Sequence, residues 1–440
     1  MARTRLTGWG NTAPGFGDLV TPRSVSELQE TFQSHGVIAR GLGRSYGDPA
    51  QLSGGLVVSN LGFDAVGPIA ADGVVTVGAG VSIDTLIRWA MPQGWFVPVT
   101  PGTRQVTIGG AIAADVHGKN HHAVGSFAHH VLAMRIVTPT GTFDTSPTER
   151  ADLFWATCGG MGLTGIVSEA TIRLIPISSN RVLVDTTKHA NLAETMAAMV
   201  DGDDNYQYSV AWIDCMTTGK HMGRGILTRG DHLVATDGRL DPPSATSLAI
   251  PVTPPSGLLN PLTIRLFNEA WFKKAPRREI AREHSIGSFF HPLDALANWN
   301  RLYGPKGFVQ YQFAVPDDRG DIVEKAVSRL SSAGVPSFLA VLKRFGAGSS
   351  GHLSFPIAGW TLALDMPVGP RELPGILDEL DELVVTAGGR IYLAKDARCR
   401  PETVGLMYSR LSEFLDVKDV YDPERRITSD LARRLHIERN

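Results

Sequence analysis

The stretch DVHGKNHH, residues 115–122, places three of the chain's thirteen histidines beside a lysine and a glycine. His117 and His121 have the four-residue spacing of a zinc-binding pair on a helix. However, no glutamate lies between them, Gly118 disfavours a helix, and Lys119 would repel a divalent cation. We therefore expect no metal here, treat His117 as a candidate acid–base residue, and take the last two histidines as structural.

Three glycine-rich segments accompany this stretch: RGLGRSYGD, TIGGAIA and GGMGLTGIV. Glycines let backbone N–H groups converge on phosphate oxygens. A helix capped by Thr107 or a neighbour, with glycines in its first turn, would admit a pyrophosphate to its positive end. A simple dinucleotide fingerprint needs a helix directly after the first segment, but turn-rich sequence follows there. Together the three segments indicate a long, phosphate-bearing ligand bound in extended form.

The elements that position these segments follow from periodicity. Apolar residues at helical spacing predict a helix that ends before Gly36, and VIAR predicts the strand after it. The segment VVTVG predicts another strand, followed by a glycine turn and a helix capped by Ser82.

Between Lys306 and Asp396 the pattern changes to βαββαβ, with helices on one face of a sheet and the other face free to cover a ligand. Alternation along these strands groups residues on shared faces: Gln310 with Gln312, Lys343 with Phe345, and Thr361 with Ala363 and Asp365. The segment RIYLAKDA is predicted to be the last strand, on which Lys395 shares the parity of two apolar residues. Such a lysine either reaches water at the strand end or meets an anion, since an unpaired buried charge is costly.

Composition and charge argue against several classes of protein. A net charge of −2 does not favour general nucleic-acid binding. Cys158, Cys215 and Cys399 are far apart, so we expect no disulfide framework. We find no signal peptide and no apolar run of about 18 residues that would span a membrane. We therefore expect a soluble chain, cytoplasmic by sequence, and leave a membrane-associated or periplasmic working site open.

One region between the two patterns has a different composition. The proline-rich stretch near 238–262 predicts a mobile loop. The following segment, LTIRLFNEAWFKKAPRR, mixes basic and aromatic residues. It is either an amphipathic helix packed on the core or a peripheral contact with an anionic lipid surface.

The strings RGLGRSYGD, TPGTRQVTIGGAIAADVHGKNHH and GGMGLTGIV resemble the flavin-binding fold of the vanillyl-alcohol-oxidase superfamily. Within it the chain is most similar to the family of decaprenylphosphoryl-β-D-ribose 2′-oxidases, and the similarity reaches DPERRITSDLARRL near the C-terminus. The resemblance implies an α+β chain with a PCMH-type FAD-binding domain over residues 1–181, completed by 390–440. Residues 182–389 would form a substrate domain, with an antiparallel sheet and helices on one face.

The resemblance also assigns roles to individual residues. The catalytic candidates are Lys395, beside the isoalloxazine, with His117 and Tyr46, and which of them takes the hydroxyl proton stays open. The expected substrate contacts are Lys119, Gln310, Gln312, Lys343, Phe345, Thr361, Ala363 and Asp365. The expected FAD contacts are Arg40, Gly41, Leu42, Gly43, Arg44, Ser45, Tyr46, Thr100, Pro101, Gly102, Thr103, Thr107, Ile108, Gly109, Gly110, Ala113, His117, Gly118, Asn120, His121, Gly162, Gly165, Ile166 and Lys395.

Two positions depart from relatives of this kind. Many superfamily members attach FAD covalently through a histidine in the first glycine loop, where this chain has Arg44; we therefore expect non-covalent FAD. Ala363 stands where well-known mycobacterial members have the cysteine that covalent nitroaromatic inhibitors capture. We therefore expect this chain to resist such inhibitors.

The implied reaction is oxidation of the ribose 2′-hydroxyl of decaprenylphosphoryl-β-D-ribose, with hydride passing to flavin N5. A separate short-chain reductase would then complete epimerisation to the arabinose donor for actinobacterial cell-wall arabinan, and electrons would leave to a quinone or oxygen. One alternative is a flavin oxidase that acts on a soluble sugar or alditol and uses oxygen. The other is a zinc hydrolase or metal-binding protein built on the histidine cluster.

Overall fold

The chain folds into strands and helices in a computed structural model that describes residues 3–236, 238–244 and 248–439. Within these residues the strands are β1 (Arg3–Leu6), β2 (Gly15–Val20), β3 (Val37–Arg40), β4 (Leu56–Ser59), β5 (Val74–Gly78), β6 (Trp95–Phe96), β7 (Val131–Thr138), β8 (Gly141–Thr145), β9 (Ile166–Arg173), β10 (Ile175–Pro176), β11 (Arg181–His189), β12 (Tyr208–Ile213), β13 (Gly225–His232), β14 (Leu248–Ala249), β15 (Arg278–Ser285), β16 (Leu296–Ala297), β17 (Phe308–Pro316), β18 (Ala340–Phe345), β19 (Gly359–Pro367) and β20 (Arg390–Ile391).

The α-helices within the same residues are α1 (Val25–Thr31), α2 (Ile83–Ala90), α3 (Ile108–Ala113), α4 (His121–Val124), α5 (Ala151–Thr157), α6 (Leu192–Gly202), α7 (Pro261–Lys274), α8 (Ile286–Phe290), α9 (Asp321–Ser332), α10 (Leu373–Thr386), α11 (Pro401–Met407), α12 (Leu411–Tyr421) and α13 (Asp430–Leu435). In the described part of the chain, none of them has the length and apolar character that crossing a bilayer requires. Residues 245–247 of the predicted loop near 238–262 lie outside the described residues.

Two four-stranded sheets occupy the N-terminal region. The first has the order β1-β2-β4-β3, with parallel pairs on both sides of β4, and the second is antiparallel with the order β5-β9-β7-β8. The predicted helix caps are confirmed: the Ser82 side chain accepts from the amide of Thr85, and the Thr107 side chain accepts from the amide of Gly110. These caps satisfy N–H groups that have no partner within the helix.

An eight-stranded antiparallel sheet follows, in the order β15-β11-β13-β12-β18-β19-β17-β20. Helices α9 and α10 pack against one face, where the alternate residues Leu362 and Leu364 are fully buried. The opposite face carries the polar residues that were grouped by parity. In register, Gln310 pairs with Asp365 and Gln312 pairs with Ala363. The predicted α+β class and βαββαβ order are therefore confirmed.

The C-terminal segment returns to the N-terminal sheets. Its backbone is hydrogen-bonded to the start of β3. The amide of Val37 donates to the carbonyl oxygen of Arg426 at 2.7 Å, and the amide of Thr428 donates to the carbonyl oxygen of Val37 at 3.1 Å. The Arg434 side chain then binds the carboxylates of Asp48 and Asp396, with N–O distances of 2.7 and 2.8 Å. A partly buried cation with two carboxylate partners fixes the loop and the turn from which these carboxylates come.

Candidate active site

A chain of hydrogen bonds fixes His117 against the eight-stranded sheet. The Thr361 hydroxyl donates to the carbonyl oxygen of Phe313 at 2.8 Å, so it accepts from the Gln312 amide at 3.2 Å. The same amide nitrogen lies 2.9 Å from Nε2 of His117. Because the amide donates, Nε2 must accept, and the neutral imidazole carries its proton on Nδ1.

Aromatic rings enclose this imidazole. The ring centres of Phe345, Tyr392 and Phe355 lie 4.8, 5.3 and 5.6 Å from that of His117. Burial lowers the pKa of His117 well below its usual value, and the positive charge of Lys343 lowers it further. His117 is therefore neutral at physiological pH, which agrees with the hydrogen-bond pattern.

A second group of polar residues surrounds Gln310, which lies two positions before Gln312 on β17. The amide of Gln310 donates to the Asp365 carboxylate, and Nζ of Lys395 lies 3.9 Å from the centre of the Tyr46 ring. Burial raises the pKa of Asp365. Burial also lowers the pKa of Lys395; the Asp365 carboxylate opposes this lowering, and the nearby charge of Lys343 adds to it. A carboxyl and an amine with such pKa values exchange protons readily near neutral pH.

Two more lysines border these groups. Burial lowers the pKa of half-buried Lys343 to about 8. Burial, followed by the charge of Lys343, lowers the pKa of Lys119 to about 7. Nζ of Lys119 donates to the carbonyl oxygen of Phe289 and lies 4.3 Å from the centre of its ring. The three lysines 119, 343 and 395 thus concentrate positive charge, which would bind an anionic ligand.

Asp115, at the start of DVHGKNHH, is the hub of this region. Its fully buried carboxylate accepts from the amide of Ala128 at 2.9 Å and from the hydroxyls of Ser126, Ser349 and Ser354 at 2.9, 2.6 and 2.6 Å. Its backbone has φ of +40°, a conformation that favours Asn, Asp and Gly. These bonds tie the segment that contains His117 to the loop after β18.

The glycine segments form a close backbone cradle. A Cβ added at Gly41 would lie 2.2 Å from Oγ1 of Thr107, so the first segment touches the cap of α3. The third segment touches the other end of α3, where the amides of Gly159 and Met161 donate to its backbone at 3.0 and 2.8 Å. Gly162 has φ of +78°, which an L residue adopts only with strain.

This cradle and the site beside it fit a flavin nucleotide. Closely packed backbone suits a pyrophosphate, which needs approach without side chains. The buried polar atoms with no hydrogen-bond partner among the described residues include three at this site, namely Nδ1 of His117, Oδ2 of Asp365 and Nε of Arg44. A polar ring system such as an isoalloxazine would satisfy atoms of this kind.

Some predicted FAD contacts direct their side chains elsewhere. The Arg40 guanidinium donates to the carbonyl oxygens of Thr7 and Ala50, below the first loop. The hydroxyl of Thr100 bonds to His291 at 2.8 Å, and that of Thr103 donates to Asp294 at 2.6 Å. The roles of these residues toward FAD stay predictions.

The remaining predicted contacts lie in the first glycine segment, around α3 and in the third glycine segment. The Arg44 guanidinium lies 4.0 Å from the centre of the Trp9 ring. The ring of His121 lies 4.4 Å from that of Phe345, and Asn120 donates to Pro98 at 2.8 Å. The other predicted contacts form no side-chain hydrogen bond among the described residues. They are Leu42, Gly43, Ser45, Pro101, Gly102, Ile108, Gly109, Ala113, Gly118, Gly165 and Ile166.

The prediction that Lys395 lies on a strand was wrong. Strand β20 ends at Ile391, and the amides of Lys395 and Asp396 donate to the carbonyl of Tyr392, at 2.9 and 3.0 Å, which forms a turn. The strand pattern was interrupted because the first glycine loop pairs here: the amide of Tyr46 donates to Ala394 at 3.0 Å. The turn, not strand parity, brings the amine onto the Tyr46 ring.

Sequence reasoning missed three contributors to the site. They are Asp115, Tyr392 and Arg434, which lie in DVHGKNHH, RIYLAKDA and DPERRITSDLARRL but were assigned no role there. The hydroxyl of Tyr392 donates to the carbonyl of Ala114 at 2.7 Å, which supports the same bend as the Asp115 carboxylate. The acidic residue at the start of DVHGKNHH was a usable signal, whereas Tyr392 and Arg434 bond to Ala114 and Asp48, more than 250 positions away.

Comparisons with known proteins agree with this geometry. A family model described as an FAD binding domain matches residues 18–146. The chain is 40% identical to the decaprenylphosphoryl-beta-D-ribose oxidase of Mycolicibacterium smegmatis, over 98% of this chain and 97% of that protein. It is 38% identical to an uncharacterized Streptomyces coelicolor protein, over 81% of this chain and all of that one. A shorter match, 30% identical over 39% of this chain and 32% of the relative, joins it to a putative D-arabinono-1,4-lactone oxidase of Neurospora crassa.

A relationship of this identity over nearly the full length of both chains defines the family. The chain belongs to the decaprenylphosphoryl-β-D-ribose oxidase family and is an FAD-dependent oxidoreductase.

Proposed function

We propose that the protein oxidises the ribose 2′-hydroxyl of decaprenylphosphoryl-β-D-ribose to the 2′-keto compound. The relative that is 40% identical over nearly the whole chain carries this proposal, because its name specifies that substrate. The site supports it with a group of hydrogen-bonding side chains beside three lysines. The comparisons do not favour the alternative, an oxidase of a soluble sugar or alditol.

FAD would be held by the three glycine segments, with the residues around His117 and Lys395 beside its ring system. When bound, it supplies the two-electron acceptor for the hydride that leaves the 2′ carbon. Arg44 occupies the position where many superfamily members have the linking histidine, and it lies over Trp9. We therefore propose non-covalent FAD. Acid precipitation should release all the flavin into the supernatant, and yellow protein in the pellet would contradict this.

Lys395 is our candidate for the base that takes the 2′-hydroxyl proton. Burial and Lys343 lower its pKa, so Nζ is partly unprotonated near neutral pH and can accept a proton. Nε2 of His117 already accepts from Gln312, so His117 would orient the substrate by donating from Nδ1. Burial raises the pKa of Tyr46 well above its usual value, so its hydroxyl stays protonated at neutral pH and does not act as the base.

The substrate's charge and sugar would be recognised by different residues. Lys343, with a pKa of about 8, is mostly protonated at neutral pH and would meet the phosphate. Gln310 and Asp365 would bind sugar hydroxyls, with Gln312, Thr361, Ala363 and Phe345 lining the same face. Lys119 would also bind the substrate, and its Nζ would then give up its hydrogen bond to the carbonyl oxygen of Phe289.

Several further proposals concern layout and partners. Residues 1–181 with 390–440 would form the FAD-binding domain, and 182–389 the substrate domain. The keto product would pass to a separate short-chain reductase that completes epimerisation to the arabinose donor. Quinone or oxygen would reoxidise the flavin.

The decisive experiment is anaerobic mixing of the FAD-loaded protein with farnesylphosphoryl ribose, followed by flavin absorbance. We expect bleaching of the oxidised flavin band and formation of one keto product per flavin. A flavin that stays oxidised would exclude the proposed reaction. Peroxide formation with free sugars or alditols, and none with the phosphoryl ribose, would establish the alternative.

A further inference from the structure

Helix α7 exposes a broad apolar surface. Four residues on it are large and exposed: Leu262, Leu266, Phe267 and Trp271 are 67, 63, 46 and 46% accessible. By the helical period Leu262 and Leu266 lie opposite Ile264 and Asn268, which are buried, whereas Phe267 and Trp271 lie beside that buried pair and are still partly exposed. We call these four residues the exposed half of α7. An apolar surface of this kind on a folded protein indicates an interaction site.

The helix is firmly fixed to the eight-stranded sheet, so the exposure does not come from a loose segment. The Asn268 side chain donates to Asp214 at 2.8 Å. Arg224 bridges the carboxylates of Asp214 and Glu269, with N–O distances of 2.9 and 2.6 Å. The exposed half is therefore held outward by buried polar contacts.

Positive charge borders this surface. Residues 261–285 carry six cations and three carboxylates, in a chain whose net charge is −2. Four of the six form no ion pair among the described residues, and these are Arg265, Lys274, Arg277 and Arg278. Apolar and aromatic side chains flanked by unpaired cations match the chemistry of an anionic lipid surface.

Aromatic contacts connect this surface to the candidate site. Ring centres lie 5.8 Å apart for Phe267 and Phe338, 6.0 Å for Phe338 and Tyr303, and 4.0 Å for Tyr303 and Phe308. Phe308 then lies 5.4 Å from Tyr46, whose ring contacts Nζ of Lys395. These contacting rings, from Phe267 to Tyr46, connect α7 to the catalytic candidates, and we call them the aromatic path.

We propose that the exposed half of α7 docks on an anionic bilayer and that a polyprenyl chain reaches the site beside the aromatic path. The second part rests on the proposed function; the first does not. Docking at this position would keep the prenyl chain in apolar contact from the bilayer to Tyr46. Transfer through water, which would expose the prenyl chain, would then be unnecessary.

The test uses FAD-loaded protein with vesicles of phosphatidylcholine alone or mixed with phosphatidylglycerol. Wild type should sediment with the anionic vesicles, and L266D/W271D should bind at least about tenfold more weakly because charge replaces apolar contact. K274E/R277E should weaken binding about fivefold per charge removed. The matched control is Trp89→Asp on α2, an exposed tryptophan far from this surface in sequence, and it should bind like wild type.

Flavin reduction separates docking from catalysis. Farnesylphosphoryl ribose in solution should bleach wild type and L266D/W271D at equal rates, whereas a long-chain substrate in vesicles should react at least tenfold more slowly with the variant. Vesicle binding by L266D/W271D equal to wild type, or an equal loss in the Trp89→Asp control, would overturn the docking proposal. If the soluble substrate bleaches no flavin even in wild type, the proposed function fails, while the vesicle result is still decided by binding alone.

Discussion

The amide nitrogen of Gln312 lies 2.9 Å from Nε2 of His117 and joins residues 195 positions apart in the sequence. This contact sets the tautomer of the histidine, because the amide donates and Nε2 must accept. It also holds the imidazole among Phe345, Phe355 and Tyr392.

Removal of either partner should slow flavin reduction. We expect His117→Ala to lower the rate about 10²-fold, as expected when a residue that orients the substrate is lost, and more than His121→Ala or His122→Ala. Gln312→Leu should have an intermediate effect, since the ring stays but its tautomer is no longer fixed. Stopped-flow absorbance at the flavin band measures each rate. Equal effects of all three histidine variants would remove the special role of His117.

The lowered pKa of Lys395 predicts a pH dependence of reduction. If its neutral amine accepts the proton, the rate should rise with pH through that lowered pKa and then level off. Lys395→Met should lose about 10²–10⁴ in rate. Lys395→Arg should lose as much, because guanidinium stays protonated. The control is Lys220→Met at an exposed position; an arginine variant with wild-type activity would contradict the assignment.

Asp115 should matter for both stability and flavin retention. Asparagine tolerates a positive φ, so Asp115→Asn isolates the loss of charge and of part of the hydrogen bonding from backbone strain. We expect it to destabilise the protein by about 2–4 kcal/mol, since hydrogen bonds to a charged group contribute about 1.5–3 kcal/mol each. Ser354→Ala, which removes one donor, should have a smaller effect. Thermal unfolding and FAD content after gel filtration check both, and wild-type FAD retention in Asp115→Asn would contradict the hub role.

The burial of Lys343 should lower the free energy of unfolding, because burial disfavours the charged form of the amine. Its pKa falls from 10.5 to about 8 on folding, so the unfolded chain binds more protons between these values and stability rises with pH there. Below about pH 8 the whole deficit is present. Lys343→Met should therefore raise Tm at pH 7 by about 1–3 °C, with the gain shrinking toward pH 10.5, and should weaken substrate binding. A lower Tm for the variant at pH 7 would refute this account.

Ala363 predicts the response to thiol-directed nitroaromatic inhibitors. The three cysteines are buried, and burial raises the thiol pKa of each, so none offers a reactive thiolate. Ala363 lies opposite Gln312 in the β-sheet register, on the face of the candidate site. Wild type should show no covalent adduct by mass spectrometry after turnover, whereas Ala363→Cys should show one. An adduct on wild type would overturn the prediction.

Local sequence determined much of the fold. The caps at Ser82 and Thr107 follow from hydroxyls that satisfy nearby amides, and the shared face of Gln310 and Gln312 follows from the two-residue period of a strand. Such features depend on neighbours within a few positions. The family resemblance added FAD and the reaction class, because its strings encode a cradle of glycines.

Only the tertiary structure decided how the site is assembled. The turn at Lys395 exists because the first glycine loop pairs with residues almost 350 positions later, and the Asp115 hub closes on serines more than 200 positions away. The pKa values of Lys395 and His117 follow from burial and neighbouring charge, which no local pattern specifies. The sequence therefore determined which chemical groups are present and the local elements that carry them, while long-range packing determined their protonation and their contacts.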